Sequence, residues 1–236
     1  MSDLNDSILI KADLEYKIIL LGDTSVGKTC LFKRLTLDIF KEKCISTIGM
    51  DKKTFKLKCN LTGSNGKSSE KLVDIILTDT AGQERYKAMT KTYYKSSEAA
   101  LILYDITKRD TFKNVNDWIE SINNNTVLDN NKYAIFVMGT KIDLVKSGKK
   151  DREVTEEEAM AMCKNKNVEW GGECSNKEYT LEKLKEIFVG FIQILYKKFG
   201  DKKIEQASVK LSTYKQKKKK KGICCQYKKN RFKIKL

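Results

Sequence analysis

The sequence contains no proline and no histidine, and none of its apolar runs approaches the roughly 18 residues that a helix needs to cross a bilayer. Without histidine there is no His-based catalytic triad, no imidazole general base and no mixed Cys/His zinc site. The seven cysteines are odd in number and include no C-x-x-C pair, so neither a secreted disulfide framework nor zinc-ligand spacing is present. The opening stretch "MSDLNDSILIKADLE" is too acidic and too weakly apolar for a signal peptide. These absences together predict a cytosolic, reducing setting. The missing proline accompanies abundant Lys and Asn and carries no functional reading.

What is present begins with charge. A chain of 236 residues, 40% hydrophobic and 33% charged, suits one globular domain with an appendage. The net charge is +16, yet twelve of the 47 Lys and Arg, and none of the 31 Asp and Glu, lie between Lys210 and Leu236. The body is therefore nearly balanced, and the basicity belongs to the tail. That tail reads "KKKKKGICCQYKKNRFKIKL" and sets Cys224 and Cys225 between two basic clusters. Alone, it fits a membrane anchor, a nucleic-acid grip or merely solvated chain. The expected organisation is an N-terminal arm (1–15), one domain (16–199) and a disordered basic tail (200–236).

Three nearly continuous apolar runs, "YKIILLG" (16–22), "AALILYD" (99–105) and "YAIFVMG" (133–139), predict parallel strands buried on both faces. By contrast "TFKLKCNL" and "VDIILT" alternate, placing Phe55, Leu57, Cys59 and Leu61, then Val73, Ile75 and Leu77, on one face. They predict amphipathic strands joined through "TGSNGKSS", where Asn65-Gly66 is a hairpin turn signal. Helical patterns fill the gaps: "KTCLFKRLTLDIF", "RDTFKNVNDWIESI", "TEEEAMAMCK" opened by a Thr155/Glu158 capping box, and 180–198 with Leu184, Ile187, Phe188, Phe191 and Leu195 on one stripe. Strands alternating with helices predict an α/β doubly wound sheet, mostly parallel, with one antiparallel edge.

The first strand runs directly into "GDTSVGKT" (22–29), matching G-x-x-x-x-G-K-[ST], and a helix starts at once. In that arrangement backbone N–H groups wrap a phosphate, the helix N-terminus adds its dipole, Lys28 reaches the β and γ oxygens and Thr29 offers a hydroxyl to Mg²⁺. The bland alternative is a glycine turn followed by a solvated lysine. Two further stretches narrow the chemistry. "DTAGQ" (79–83) ends the second amphipathic strand, where an acid holds Mg²⁺ through water and a glycine N–H meets the γ-phosphate; otherwise it is a polar strand-end turn. "GTKIDL" (139–144) follows the third buried strand. A carboxylate there, Asp143, accepts both N1–H and N2–H₂ of guanine, and a buried acid left unpaired rejects adenine. Alone, T-K-x-D is a weak pattern.

With these residues assembled, the chain resembles the small GTPases of the Ras superfamily, and within them the Rab family. The likeness covers residues 16–199 and rests on "GDTSVGKT", "STIG", "DTAGQER", "TKID" and "ECSNK" in that order. It implies a P-loop NTPase G domain: a mostly parallel six-stranded sheet with one antiparallel edge strand and helices on both faces. It implies that GTP or GDP is held by Thr24, Ser25, Val26, Gly27, Lys28, Thr29 and Cys30, by Phe40 stacked on the base, by Thr47 and Gly82, and by Thr140, Lys141 and Asp143. Ser175, Asn176 and Lys177 would frame the guanine O6. Mg²⁺ would take Thr29, Thr47 and, through water, Asp79, all hard oxygen donors. Gln83 would orient the attacking water. No arginine acting in cis is evident, since Arg85 reads as a salt bridge of the second switch, so hydrolysis is expected to be slow, about 10⁻⁴ to 10⁻² s⁻¹.

The resemblance implies a switch in vesicle and membrane traffic, with an exchange factor, a GTPase-activating protein and effectors as partners. It places the protein peripherally on the cytosolic face of endomembranes. Within the Rabs, "ILYDITKRDTFKNVNDW", "DREV" and "SVKLS" are most similar to the branch numbered eighteen, associated with the endoplasmic reticulum and lipid droplets. Departures concentrate where partners bind. Lys52 stands where most Rabs have phenylalanine, Thr78 where they have tryptophan, and of the usual aromatic triad only Tyr93 matches. "TKID" and "ECS" look like the Rho branch, but 143–174 is too short for the inserted Rho helix.

Rabs end in cysteines that receive prenyl chains, assisted by polybasic charge at about 1 kcal/mol per Lys near an anionic surface. Cys224 and Cys225 are the lipidation candidates, though eleven residues follow them, which a prenyl transferase requiring chain-end cysteines would not accept. A misread gene end or splice variant, trimming before lipidation, and palmitate plus charge all stay open. Two other functions also stay open: a nucleotide-bound scaffold with negligible hydrolysis, and a nuclear or RNA-associated GTPase. Sparse aromatics in the tail, Tyr214, Tyr227 and Phe232, argue against a base-stacking nucleic-acid grip.

Overall fold

A computed structural model of the chain describes residues 11–41, 49–63, 66–80, 94, 96–126 and 133–199. Its strands are β1 (Leu14–Leu21), β2 (Met50–Thr62), β3 (Ser68–Thr80), β4 (Ala99–Asp105), β5 (Ala134–Thr140) and β6 (Glu169–Cys174). They form one six-stranded sheet in the order β2-β3-β1-β4-β5-β6. All pairings are parallel except β2 with β3. This is the sheet anticipated from the pattern: every residue of β4 is buried, whereas β2 alternates with Phe55, Leu57, Cys59 and Leu61 inward. β1 starts at Leu14, opposite Val73, inside the segment expected to be an arm. Asp13 extends that contact, donating its N–H to Leu72 O at 2.8 Å and accepting from Leu72 N at 2.9 Å.

The helices are α1 (Lys28–Leu37), α2 (Arg109–Lys113), α3 (Val115–Asn125), α4 (Ile142–Lys146), α5 (Glu156–Lys166) and α6, spanning 181–199. The pattern predicts one helix over 109–122; two are observed, meeting at Asn114, whose side-chain amide is drawn to Asp23 Oδ2 at 2.7 Å. The capping box at α5 is half formed. Thr155 Oγ1 accepts from Glu158 N at 3.2 Å, but the Glu158 carboxylate bonds to the Arg109 guanidinium instead of returning to the cap.

The two faces of the sheet are covered by different helices. On one, α6 lays Leu184, Phe188, Phe191, Ile192 and Leu195 inward, with Phe188 edge-on to Phe55 at 5.7 Å and Phe191 against Phe136 at 4.5 Å. On the other, Ile19, Leu21, Ile102 and Tyr104 share a core with Phe112, Val115, Trp118, Ile119 and Ile122 of α2 and α3, and with Ala159 and Cys163 of α5. Burying both faces leaves function to the strand ends. Along the carboxyl edge lie the loop after β1, Asp79 near the end of β3, Asp105 at the end of β4, Thr140 at the end of β5 and the turn after β6, the edge at which open α/β sheets bind ligands.

Candidate functional site

The loop between β1 and α1 turns through three residues of positive φ, Gly22 (124°), Ser25 (65°) and Gly27 (105°). A Cβ on Gly27 would stand 2.9 Å from Asn176 Nδ2, so glycine is required both for the dihedral and for the approach. Among the described residues no side chain caps α1, whose N-terminus follows directly on the loop and offers the positive end of its dipole to an anion. Lys28 is 4% exposed, and its Nζ donates to Gly22 O and Asp23 O, each at 2.7 Å. Burial pushes the Lys28 ammonium down to about 8, against the opposing pull of Asp79 and Asp23. A phosphate would reverse that shift.

Thr29 Oγ1 donates to Asp79 Oδ2 at 2.8 Å, which joins the start of α1 to the end of β3. Asp79 is 1% exposed, and its Oδ1 has no hydrogen-bond partner among the described residues. Burial raises its carboxyl, only partly offset by the Thr29 hydrogen bond and the Lys28 charge. An orphaned, desolvated carboxylate oxygen beside a hydroxyl is a fit for a hard divalent cation such as Mg²⁺, with remaining positions for water and phosphate oxygens. Among the described residues no three His, Cys, Asp or Glu side chains cluster as a metal cage.

The other end of the site is assembled from the carboxyl ends of β4, β5 and β6. Lys141 takes a left-handed conformation (φ 68°) ahead of α4, which sets Asp143 in the first turn of that helix, buried. Lys141 Nζ forms an ion pair with Asp105 Oδ2 at 2.8 Å. Burial acts to raise the Asp105 carboxyl, but Lys141 and the Thr107 hydroxyl and amide outweigh it and hold the group below its ordinary 3.8. Thr140 Oγ1 sits 2.7 Å from Val26 O and 2.8 Å from Tyr104 O, its single proton shared between a phosphate-loop carbonyl and a strand carbonyl. Ser175 is fully buried, with Oγ accepting from Lys177 N at 3.2 Å and Glu178 N at 2.9 Å; Asn176 is buried beside it and Lys177 is exposed.

Thr24 and Ser25 are exposed on the loop, Val26 is buried, Cys30 is half-buried with Sγ 3.9 Å from Lys41 O, and Phe40 is half-buried. The structure thus brings the 22–30 loop, Asp79, 140–143 and 175–177 to one edge. Thr47, Gly82, Gln83, Arg85, Tyr93, Cys224 and Cys225 lie outside the described residues. Sequence reasoning missed Asp105, Asp23, Asn114 and Trp118. Asp23 is gripped by Asn114 and also accepts from Trp118 Nε1 at 3.1 Å, tying the phosphate loop to α3. The one available signal was Asp105 closing an otherwise apolar strand.

The Ras family profile matches residues 17–197. The chain belongs to the Ras family. Its relatives are of Rab type: the "Ras-related protein SEC4" of Saccharomyces cerevisiae is 31% identical over 188 residues, covering 80% of this chain and 78% of that protein. The "GTP-binding protein ypt1" of Schizosaccharomyces pombe is 38% identical over 135 residues, 56% of this chain and 60% of its own length. The "Ras-related protein RABA1g" of Arabidopsis thaliana is 36% identical over 156 residues, 66% and 64% respectively. For the last two, this Ras-family chain spans less than two thirds of the relative's length. Among the described residues no helix is long and apolar enough to cross a membrane.

Proposed function

We propose that this Rab-type member of the Ras family is a Mg²⁺-dependent switch that binds GTP and hydrolyses it slowly to GDP and phosphate. The observation that carries the reading is the joint at the phosphate end: buried Lys28, and Thr29 bonded to an Asp79 whose second oxygen lacks a hydrogen-bond partner among the described residues. The loop amides and Lys28 bind the phosphates, Asp143 selects guanine, the Lys141 stem lies along the base, and Asp105 holds Lys141 in place. Mg²⁺, when bound, neutralises phosphate charge. Thr29, Thr47 of the first switch and, through water, Asp79 would hold it; Gln83 would orient the attacking water.

The test is direct: the full chain should bind fluorescent GDP but not ADP, with chelation of Mg²⁺ weakening retention, and single-turnover assays should detect phosphate at about 10⁻⁴ to 10⁻² s⁻¹. Equal affinity for ADP would sink the guanine reading. The traffic role, with exchange factor, activating protein, effectors and a peripheral place on endomembranes, is supported by the Rab-type relatives and the basic tail. The branch numbered eighteen, and with it the endoplasmic reticulum, is supported by the 102–118, 151–154 and 208–212 stretches. Lipid on Cys224 or Cys225 is checked by intact mass of the protein from its native cell; two unmodified thiols on a chain ending at Leu236 would refute it. One observation favours the scaffold reading: Thr24 and Ser25 occupy the loop, with Ser25 in a left-handed conformation that glycine adopts more readily. No phosphate release even with a matched activating protein would decide for it.

A further inference from the structure

The turn between β6 and α6 makes contacts that guanine recognition does not require. Asn176 Nδ2 donates to Gly27 O at 3.1 Å, across 149 residues of sequence. Its orientation is set from the other side, because the Cys174 thiol, itself buried, donates to Asn176 Oδ1 at 3.9 Å, a sulfur distance. Only one placement of the amide satisfies both partners. Gly27 O also accepts from Leu31 N at 2.9 Å, the first internal bond of α1, so Asn176 grips the leading carbonyl of the helix whose N-terminus faces the phosphates.

The same turn holds α1 a second time. Arg34 Nη2 donates to Tyr179 O at 2.7 Å. Gly27 and Arg34 are seven residues apart, about 10 Å along a helix. The turn between the two grips is stiff: Ser175 Oγ accepts two N–H groups within it, Tyr179 N donates to Ser175 O at 3.1 Å, and Lys183 Nζ stands 4.0 Å from the centre of the Tyr179 ring.

We propose that the 174–179 turn is a two-point brace on helix α1, and that Asn176 is a positioning residue through which the base end of the site holds the phosphate loop and slows nucleotide release. The inference rests on the guanine-nucleotide reading. Losing a single hydrogen bond of this kind raises the escape rate several-fold and leaves the approach of nucleotide unchanged. The brace acts on a loop carbonyl and not on the cation, so its effect is independent of Mg²⁺.

The experiment follows release and association of fluorescent GDP in the full chain, with Mg²⁺ and again with excess chelator. Asn176→Ala is expected to release GDP about five-fold faster in both conditions, with association within about two-fold of the parent. Arg34→Met, remote from the nucleotide, is expected to accelerate release about three-fold, and serves if the first variant does not fold. Asn176→Gln, which keeps a donor amide, is expected to recover part of the loss. Unchanged release from both folded variants, or acceleration that vanishes on chelation, overturns the brace while leaving the function intact. A parent chain that retains no guanine nucleotide overturns the functional reading first and the brace with it.

Discussion

The phosphate end and the base end of the site are built in different ways. The phosphate end is one continuous segment, Gly22 to Thr29, joined to β3 through Asp79 and to α3 and the residue before it through Trp118 and Asn114. The base end draws Asp105, Thr140, Asp143 and Asn176 from four places and reaches the phosphate loop through side-chain bonds to Val26 O and Gly27 O. A contiguous loop is set by local dihedrals, whereas a composite pocket depends on the sheet holding its strands in register. Mutations at the first should act on binding alone; those at the second should also reach stability.

Four predictions test that contrast. Lys28→Ala, which removes charge-assisted bonds to two phosphates, should weaken GDP by more than about 10³-fold while leaving thermal stability nearly unchanged, as read by titration and melting. Asp143→Ala removes an acceptor of two guanine donors and should weaken GDP by about 10³-fold, with no gain for ADP in the same titration.

Asp105→Asn should do both. Breaking a buried pair with a partly exposed lysine should cost about 1–2 kcal/mol in urea unfolding and weaken GDP several-fold. Because the folded Asp105 carboxyl lies below its ordinary 3.8, its contribution is fully present above that value and is lost as pH falls through the lower, folded one. The difference between parent and variant should therefore stay constant from pH 7 to about 4.5 and shrink below 3.8. The smallest effect is expected from Thr140→Val, which deletes one shared proton at about 1 kcal/mol of stability, with release of GDP at most a few-fold faster. A larger change in release than in stability would show Thr140 acting chiefly on the loop.

Much of this was legible from residue pattern. β4 was delimited to the residue because a buried parallel strand shows as an unbroken apolar run, and the phosphate loop because its spacing encodes a turn that needs Gly27. β6, "EWGGEC", carries no strand pattern: two glycines break its alternation, and a register shift opposite Val137–Gly139 lets it pair irregularly. Short α4 escaped for want of a full turn of pattern on either side. The Asn114 bond to Asp23 at this junction was invisible because the two residues lie 91 positions apart.

Sequence alone determined that apolar runs would become a two-faced sheet, that Gly22 to Thr29 would turn sharply into a helix, and that an acid would stand at the end of β3, since each follows from short-range spacing and periodicity. Only tertiary structure decided which oxygen of Asp79 lacks a hydrogen-bond partner among the described residues, that Lys141 is held by Asp105, and that Asn176 and Arg34 fasten one turn to both ends of α1. Such bonds join groups far apart along the chain, and their geometry exists only once parallel pairing has brought the strand ends to a common edge.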